Sequence, residues 1–324
     1  MRSQQAGDSR PVIVVYGPTA SGKSDLALTL AERLDGVVIN ADSLQVYAEL
    51  RILTARPGPD AAARAPHRLY GVLPAATAGS AAWWRDAALA EIIAAQAAGR
   101  WAIVTGGTGL YINALIDGLS PVPTADEAAR AKATVLYAEL GGEAFRTELG
   151  RYDPEAAARL MAGDRQRLIR AWEVFEATGR PLSDWQKLPR EPGHNLDFRL
   201  IGLMPPREDL YRRIDRRFAG MVAAGALDEA RAFDALGLPA SLPANKALGL
   251  PELRRHLNGE IDLAEAVRAA SQASRNYAKR QMTWFRGQLP PGKKSLLLHT
   301  SDARSGELSE SFLSEIMPFI LPAG

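Results

Sequence analysis

The residues Gly17-Pro18-Thr19-Ala20-Ser21-Gly22-Lys23-Ser24 satisfy G-x-x-x-x-G-K-[ST]. That spacing suits a phosphate chain. The glycines let backbone N–H groups turn inward around phosphate oxygens, and a helix starting at the loop's end aims its positive pole at the same place. Lys23 is expected to reach the outer phosphates and the Ser24 hydroxyl to ligate Mg²⁺. Two further clusters bear polar chemistry. Asp42-Ser43-Leu44-Gln45 supplies a carboxylate, and Gly106-Gly107-Thr108 combines close backbone approach with a hydroxyl that faces either ligand or metal.

These clusters need a scaffold, and the flanking sequence describes one. Residues 11–16 form a short apolar run that reads as a buried parallel strand, and residues 25–34 are apolar at helical spacing. Strand, glycine loop and helix are the context a P-loop requires, so a chance Gly/Ser turn is the weaker account. Further strands are expected over 36–40, 101–105, 198–204 and 295–299, the last at an edge. Helices are expected over 80–98, 165–177, 207–224, 228–236, 251–257 and 262–285, with Ser80 as N-cap and Gly99 as stop on the first. Asp164 is expected to cap the helix that Gly179 ends; on it Arg167 and Arg170 share a face, as do Trp172 and Phe175. Residues 56–59 and 65–69 read as loops. Ligands in open α/β sheets sit beyond the carboxyl ends of the strands, which puts Asp42 on the side of the P-loop. The 101–105 strand runs on into Gly106-Gly107-Thr108 without the strand-end Asp that usually helps a nucleoside-triphosphate hydrolase hold Mg²⁺. Asp42 is therefore the expected carboxylate beside the phosphates.

The fold class expected is α/β: a P-loop NTPase-like parallel sheet flanked by helices, with an inserted all-helical domain. The core spans 11–125 and 196–300, the insertion 126–195, and residues 1–10 and 301–324 are flexible or peripheral ends.

The 324 residues are 47% hydrophobic and 23% charged, ordinary for a globular protein. There is no cysteine, which excludes disulfides, thiol nucleophiles and cysteine-bound zinc or iron–sulfur, and the four His residues are scattered. No apolar run is long enough to cross a membrane and the polar N-terminus lacks a signal-peptide core, so cytoplasm is the expected location. Net charge is only +2, yet residues 199–294 hold 17 Lys and Arg against 10 Asp and Glu. That excess fits a phosphate-rich partner and, equally, solvated helix faces.

Taken together, Gly17–Ser24, Asp42-Ser-Leu-Gln-Val-Tyr47 and Gly106-Gly-Thr-Gly-Leu-Tyr111 resemble the tRNA dimethylallyltransferases. So do Pro66-His67-Arg68-Leu69, Arg167-Leu-Ile-Arg-Ala-Trp-Glu173 and Lys279-Arg280-Gln281-Met-Thr-Trp284. The P-loop alone is unspecific; the ordered set is not. The resemblance runs over roughly residues 11–290 and implies transfer of a dimethylallyl group from its diphosphate to N6 of the adenosine on the 3′ side of the anticodon. It implies Asp42 as general base, with Lys23, Mg²⁺ and the loop amides neutralising the departing diphosphate. Thr108 would steady the phosphate or the metal. Ser43, Leu44 and Gln45 would line the site for a base drawn out of its stack. Arg130, Gln166, Arg167, Leu168, Ile169 and Arg170 would contact tRNA from a mobile insertion that closes over the anticodon stem-loop, and the expected state is a monomer.

Weighed without that resemblance, exposed Arg on a helix is usually solvated. Trp83, Trp84, Trp172 and Trp284 are core before they are base-stacking platforms. His67 either touches ligand or closes a loop, and Lys279-Arg280 is either a phosphate contact or a solvated face.

The chain also departs from the resembled pattern. Leu53-Thr54-Ala55-Arg56-Pro57 stands where Gly-Thr-Ala-Lys-Pro is usual, and Leu248-Gly249-Leu250-Pro251 replaces Ile-Gly-Tyr-Lys, losing a Tyr and a Lys. Two rival readings are a small-molecule kinase on a similar core, which would consume ATP, and an RNA-binding switch, which would form no covalent product.

Overall fold

The computed structural model describes residues 10–124, 127–190, 193–289, 294–298 and 310–321. Their elements, in chain order, begin with β1 (Val12–Tyr16), α1 (Lys23–Leu34), β2 (Gly36–Asn40), α2 (Pro59–Arg64), β3 (His67–Arg68), α3 (Ala81–Ala97), β4 (Trp101–Gly106) and α4 (Gly109–Asp117). Then come α5 (Glu127–Leu149), α6 (Pro154–Arg159), α7 (Arg165–Thr178) and α8 (Leu182–Gln186). The chain continues through β5 (Phe198–Leu203), α9 (Arg207–Ala223), α10 (Ala226–Asp234), a 3₁₀ turn at Pro243–Lys246, α11 (Leu250–Leu257), α12 (Leu263–Gln288), β6 (Ser295–Leu298) and α13 (Glu310–Ile320).

The described residues divide into two compact units, 1–116 with 194–324, and 117–193. In the first, six parallel strands form one sheet in the order β3-β2-β4-β1-β5-β6. β1 and β2 are buried along their whole length, as expected of strands with helices on both faces. On one face α1 packs through Leu26, Ala27 and Leu30 together with Leu313, Ile316 and Ile320 of α13. On the other, α3, α4 and α10–α12 cover Val12, Val14, Ile39 and Val104.

Local signals explain most boundaries. Ser80 accepts a hydrogen bond from the Trp83 amide and caps α3, and Gly99 follows it at φ 69°. Gly179 ends α7 in the left-handed region, and Gly141, at φ 72°, kinks α5.

Four expectations need correction. Residues 65–69 are not loop throughout: His67 and Arg68 pair with Val38 and Ile39, because two residues suffice to extend a parallel edge. Residues 59–64 form α2, started by Pro59 at its first position. The 301–324 end contains α13, whose apolar face is buried, whereas 1–9, 301–309 and 322–324 lie outside the described residues, as does His299. Asp164 occupies the N-cap position of α7 without a capping hydrogen bond; its carboxylate instead pairs with Arg167 at 3.3 Å.

Among its described residues, the 117–193 unit is built from the helices α5–α8. Phe145, Leu149, Ala156, Leu160, Leu168, Ala171, Val174 and Leu182 form its core, onto which Trp172 packs. Buried Asp153 accepts from the amides of Ala156 and Ser183 and from the Ser183 hydroxyl, so its carboxylate ties α6 to α8.

Candidate active site

Register assembles the site. β2, β4 and β1 are neighbours in that order, with Asn40 opposite Thr105 and Tyr16 opposite Gly106. All three strands are parallel, so the loops that follow them leave the same sheet edge. Those loops are 41–45, 107–108 and 17–22. The Ala41 N–H donates to the Thr105 carbonyl at 2.7 Å and the Thr108 N–H to the Ala41 carbonyl at 3.2 Å.

Gly106 and Gly107 permit this packing. A Cβ on Gly106 would lie 2.1 Å from the Ala41 oxygen, and one on Gly107 would lie 2.3 Å from Gln281 Nε2. The Thr108 hydroxyl oxygen accepts from the Ser43 amide at 2.9 Å and lies 3.3 Å from the Ser43 hydroxyl. It braces the turn that carries Asp42. Asp42 is held further by Asn40, whose Oδ1 accepts from the Asp42 N–H and whose Nδ2 donates to the Asp42 and Leu69 carbonyls.

The cradle has the strained backbone of a P-loop. Gly22 lies at φ 92° ahead of α1, and Ala20, at φ 63°, enters the region most side chains avoid. A Cβ on Gly17 would stand 2.6 Å from the Leu203 carbonyl oxygen. Ser21 is buried, and its hydroxyl has no hydrogen-bond partner among the described residues, in keeping with a loop built around something other than itself. Lys23 Nζ donates to the Pro18 carbonyl at 3.1 Å. Burial pushes its ammonium down to about 8, the Asp42 charge works against that shift, and the Arg217 charge adds to it. Lys23 and Asp42 thus belong to loops at one sheet edge, with the Asp42 charge favouring the charged ammonium. Ser24, in the first turn of α1, is exposed, an oxygen donor of the kind Mg²⁺ accepts. Among the described residues no group of three or more His, Cys, Asp or Glu could hold a metal unaided.

Three contributors come from far along the chain. Arg217 of α9 donates to the Thr19 hydroxyl, and its pKa is lowered by burial against the pull of Asp42. Gln281 of α12 is buried; its Oε1 accepts from the Thr19 amide and its Nε2 donates to the Gly107 carbonyl, both at 2.8 Å. It thus clamps the P-loop to the turn after β4. Tyr277 has its phenol pKa pushed up by burial first and by the Asp42 charge second. The basic excess over 199–294 and the Lys279–Trp284 match pointed to this region, but not to Arg217 or Tyr277.

A cavity opens among these groups. Thr19, Asp42, Thr54, Arg217, Ser274 and Tyr277 supply polar lining; Leu44, Leu53, Ile214, Phe218, Met221 and Leu248 supply apolar lining. Of the expected site residues, Thr19, Asp42 and Leu44 reach it. Gln45 is engaged elsewhere, its amide donating to the Thr54 and Ala55 carbonyls. Two of the positions that depart from the resembled pattern, Leu53 and Leu248, fall on the apolar wall.

In the helical unit, Arg130, Gln166 and Arg167 are exposed. Arg170 is half-buried and pairs with Glu173 at 2.7 Å. Leu168 is fully buried in the unit's own core and Ile169 is buried too, so neither side chain presents itself to a partner. Trp84 is fully buried and stacks on Tyr111 at 4.6 Å; Trp83 and Trp284 pack against the same core. His67 closes its own loop, its Nδ1 lying 2.8 Å from the Ala65 carbonyl oxygen. Lys279 and Arg280 are exposed on α12.

A P-loop at the carboxyl edge of a parallel sheet, beside a carboxylate and a cavity lined by both polar and apolar side chains, defines a class of enzyme that handles a phosphorylated molecule. The profile of the IPP transferase family matches residues 45–288, and that of isopentenyl transferases matches 10–79. The tRNA dimethylallyltransferase of Rhodospirillum centenum is 53% identical over 287 residues, covering 88% of this chain and 91% of the relative. That of Paramagnetospirillum magneticum is 52% identical over 308 residues, covering 95% of each. Among solved structures, the tRNA isopentenylpyrophosphate transferase of Bacillus halodurans superposes with a TM-score of 0.68 at 32% identity, covering 96% of this chain and 95% of the other. The chain belongs to the IPP transferase family and is a transferase.

Proposed function

We propose that the chain transfers a dimethylallyl group from dimethylallyl diphosphate to N6 of the adenosine that follows the anticodon, position 37 of tRNA, and releases diphosphate. The observation that carries this reading is a cavity in which Asp42 and Thr19 of the P-loop share a lining with Phe218, Met221 and other apolar side chains. The donor's diphosphate lies in the 17–24 loop, and its five-carbon chain lies against Phe218, Met221 and their neighbours. N6 attacks C1 of the allyl group while the C1–O bond breaks and its electron pair leaves on diphosphate. The exocyclic amine is a weak nucleophile because its lone pair is delocalised into the ring. Asp42 accepts the proton that N6 sheds. Lys23, Arg217 and the loop amides stabilise the charge growing on the leaving oxygen, as preorganised donors do.

The hard oxygen donors fit Mg²⁺, which Ser24 and the diphosphate would hold. Bound there, it adds charge neutralisation to the leaving group. Thr108 acts through Ser43, positioning the Asp42 turn. The helical unit offers Arg130, Gln166, Arg167 and Arg170 to the anticodon stem-loop. Among the described residues no helix is long and apolar enough to cross a membrane. We place the reaction in the cytoplasm, where tRNA resides, and on a monomer.

The test is incubation with labelled dimethylallyl diphosphate, Mg²⁺ and unmodified tRNA. Label is expected on adenosine 37. A folded protein that leaves all label on the donor would refute the proposal, and phosphate transfer from labelled ATP to a small acceptor would favour a kinase.

A further inference from the structure

We propose that Leu53 is the end wall that sets the length of hydrocarbon the cavity accepts, and that Glu229 is the positioning residue that holds it there. The inference rests on the reading above, in which the cavity takes an allylic diphosphate.

α9 gives the cavity its direction. Arg217 bonds to Thr19 in the phosphate cradle, and Met221, also in the lining, lies one turn further along, roughly 6 Å at the rise of an α-helix. Along α9 the lining thus passes from the Thr19–Arg217 bond to Phe218 and Met221. Beside Phe218 stands Leu53, both against Gly249: a Cβ there would lie 2.3 Å from Phe218 Cε2 and 3.4 Å from Leu53 Cδ2. Leu53 is only 4% exposed.

Leu53 belongs to no helix or strand, so something else must fix it. Glu229 of α10 does so. One carboxylate oxygen accepts from the amides of Arg51 (2.7 Å) and Ile52 (2.8 Å), the other from the amide of Leu53 (2.8 Å). Three successive N–H groups turned onto one carboxylate form an anion nest with charge-assisted bonds. The chemistry assigned above has no use for Glu229, so this carboxylate is committed to the loop. Leu53→Ala trims the wall by an isopropyl group, less than the isoprene unit that a longer donor adds, so it relaxes the length limit without building a full second subsite.

The experiment compares transfer to unmodified tRNA from dimethylallyl diphosphate and from geranyl diphosphate, by the wild type, Leu53→Ala, Glu229→Gln and the double variant. Leu53→Ala is expected to raise the geranyl-to-dimethylallyl ratio of kcat/KM at least about tenfold, as pocket changes of a few methylenes do. Glu229→Gln is expected to raise the KM for dimethylallyl diphosphate with kcat within about twofold, and to shift the ratio the same way. In the double variant it adds nothing, because it acts through Leu53. An unchanged ratio in folded Leu53→Ala overturns the proposal. If that variant does not fold, Glu229→Gln decides, and an unchanged ratio and KM there overturn it equally. A wild type that transfers dimethylallyl while both variants keep its ratio removes only the Leu53 assignment; a wild type that transfers neither group overturns the site reading and this inference with it.

Discussion

At the scale of single residues, the proposed reaction gives Lys23 and Asp42 opposite duties, and their variants are expected to fail differently. Lys23→Ala removes a preorganised donor from the leaving group and should cost about 2–4 kcal/mol of transition-state stabilisation in kcat/KM. The ammonium also makes binding pH-dependent. In the free protein burial lowers its pKa to about 8, and a bound diphosphate raises it again. Binding therefore takes up a proton above that pH. The KM for the donor should rise roughly tenfold per pH unit above about 8 and stay flat just below it, and Lys23→Ala should abolish the slope. Asp42→Ala should lower kcat by about 10²–10⁴-fold while tRNA affinity changes little, because proton acceptance matters only as the N–C bond forms. Equal losses in rate and affinity would make Asp42 a binding residue instead.

At the scale of elements, α12 ties the loops after β1 and β4 together, and α9 bonds to the first of them. Gln281 is the clearest instance. Gln281→Ala leaves the Thr19 amide and the Gly107 carbonyl without partners in a buried place, and should lower stability by about 1–3 kcal/mol. Thermal or urea denaturation reads this, and the donor KM should rise with it, since the P-loop loses its anchor to the turn after β4. The long α5, by contrast, breaks where Gly141 permits a left-handed residue, which the glycine pair already announces. The short β3 and α2 announce themselves poorly, because two and six residues are too few for periodicity to show.

At the scale of the molecule, the helical unit leaves the α/β unit and returns at neighbouring points. His194 Nε2 lies 2.6 Å from the Leu115 carbonyl oxygen, both within the α/β unit. Replacing 117–193 by a short flexible linker should therefore leave the sheet and its cradle folded. Binding of dimethylallyl diphosphate is expected to persist within a few-fold, whereas tRNA affinity should drop and its salt dependence weaken as phosphate contacts disappear. Titrations at two salt concentrations would check both, and loss of donor binding would show that the cradle depends on the excised helices.

What the sequence determined by itself was local. The P-loop, the strands beside it, the caps at Ser80 and Gly179 and the carboxylate at Asp42 each follow from a few adjacent residues, because hydrogen bonding and burial within a turn or a strand are local matters. The convergence of Asp42 and Lys23 on one edge also followed, since parallel strands share their carboxyl ends. Only the tertiary structure decided which distant side chains complete the cavity. Arg217 meets Thr19 across 198 residues and Gln281 meets it across 262, and Glu229 reaches Leu53 across 176. Helical spacing shows which face of α9, α10 or α12 is buried, but the partner on that face is chosen by how whole elements pack, and that choice is written nowhere in the neighbourhood of the residue itself.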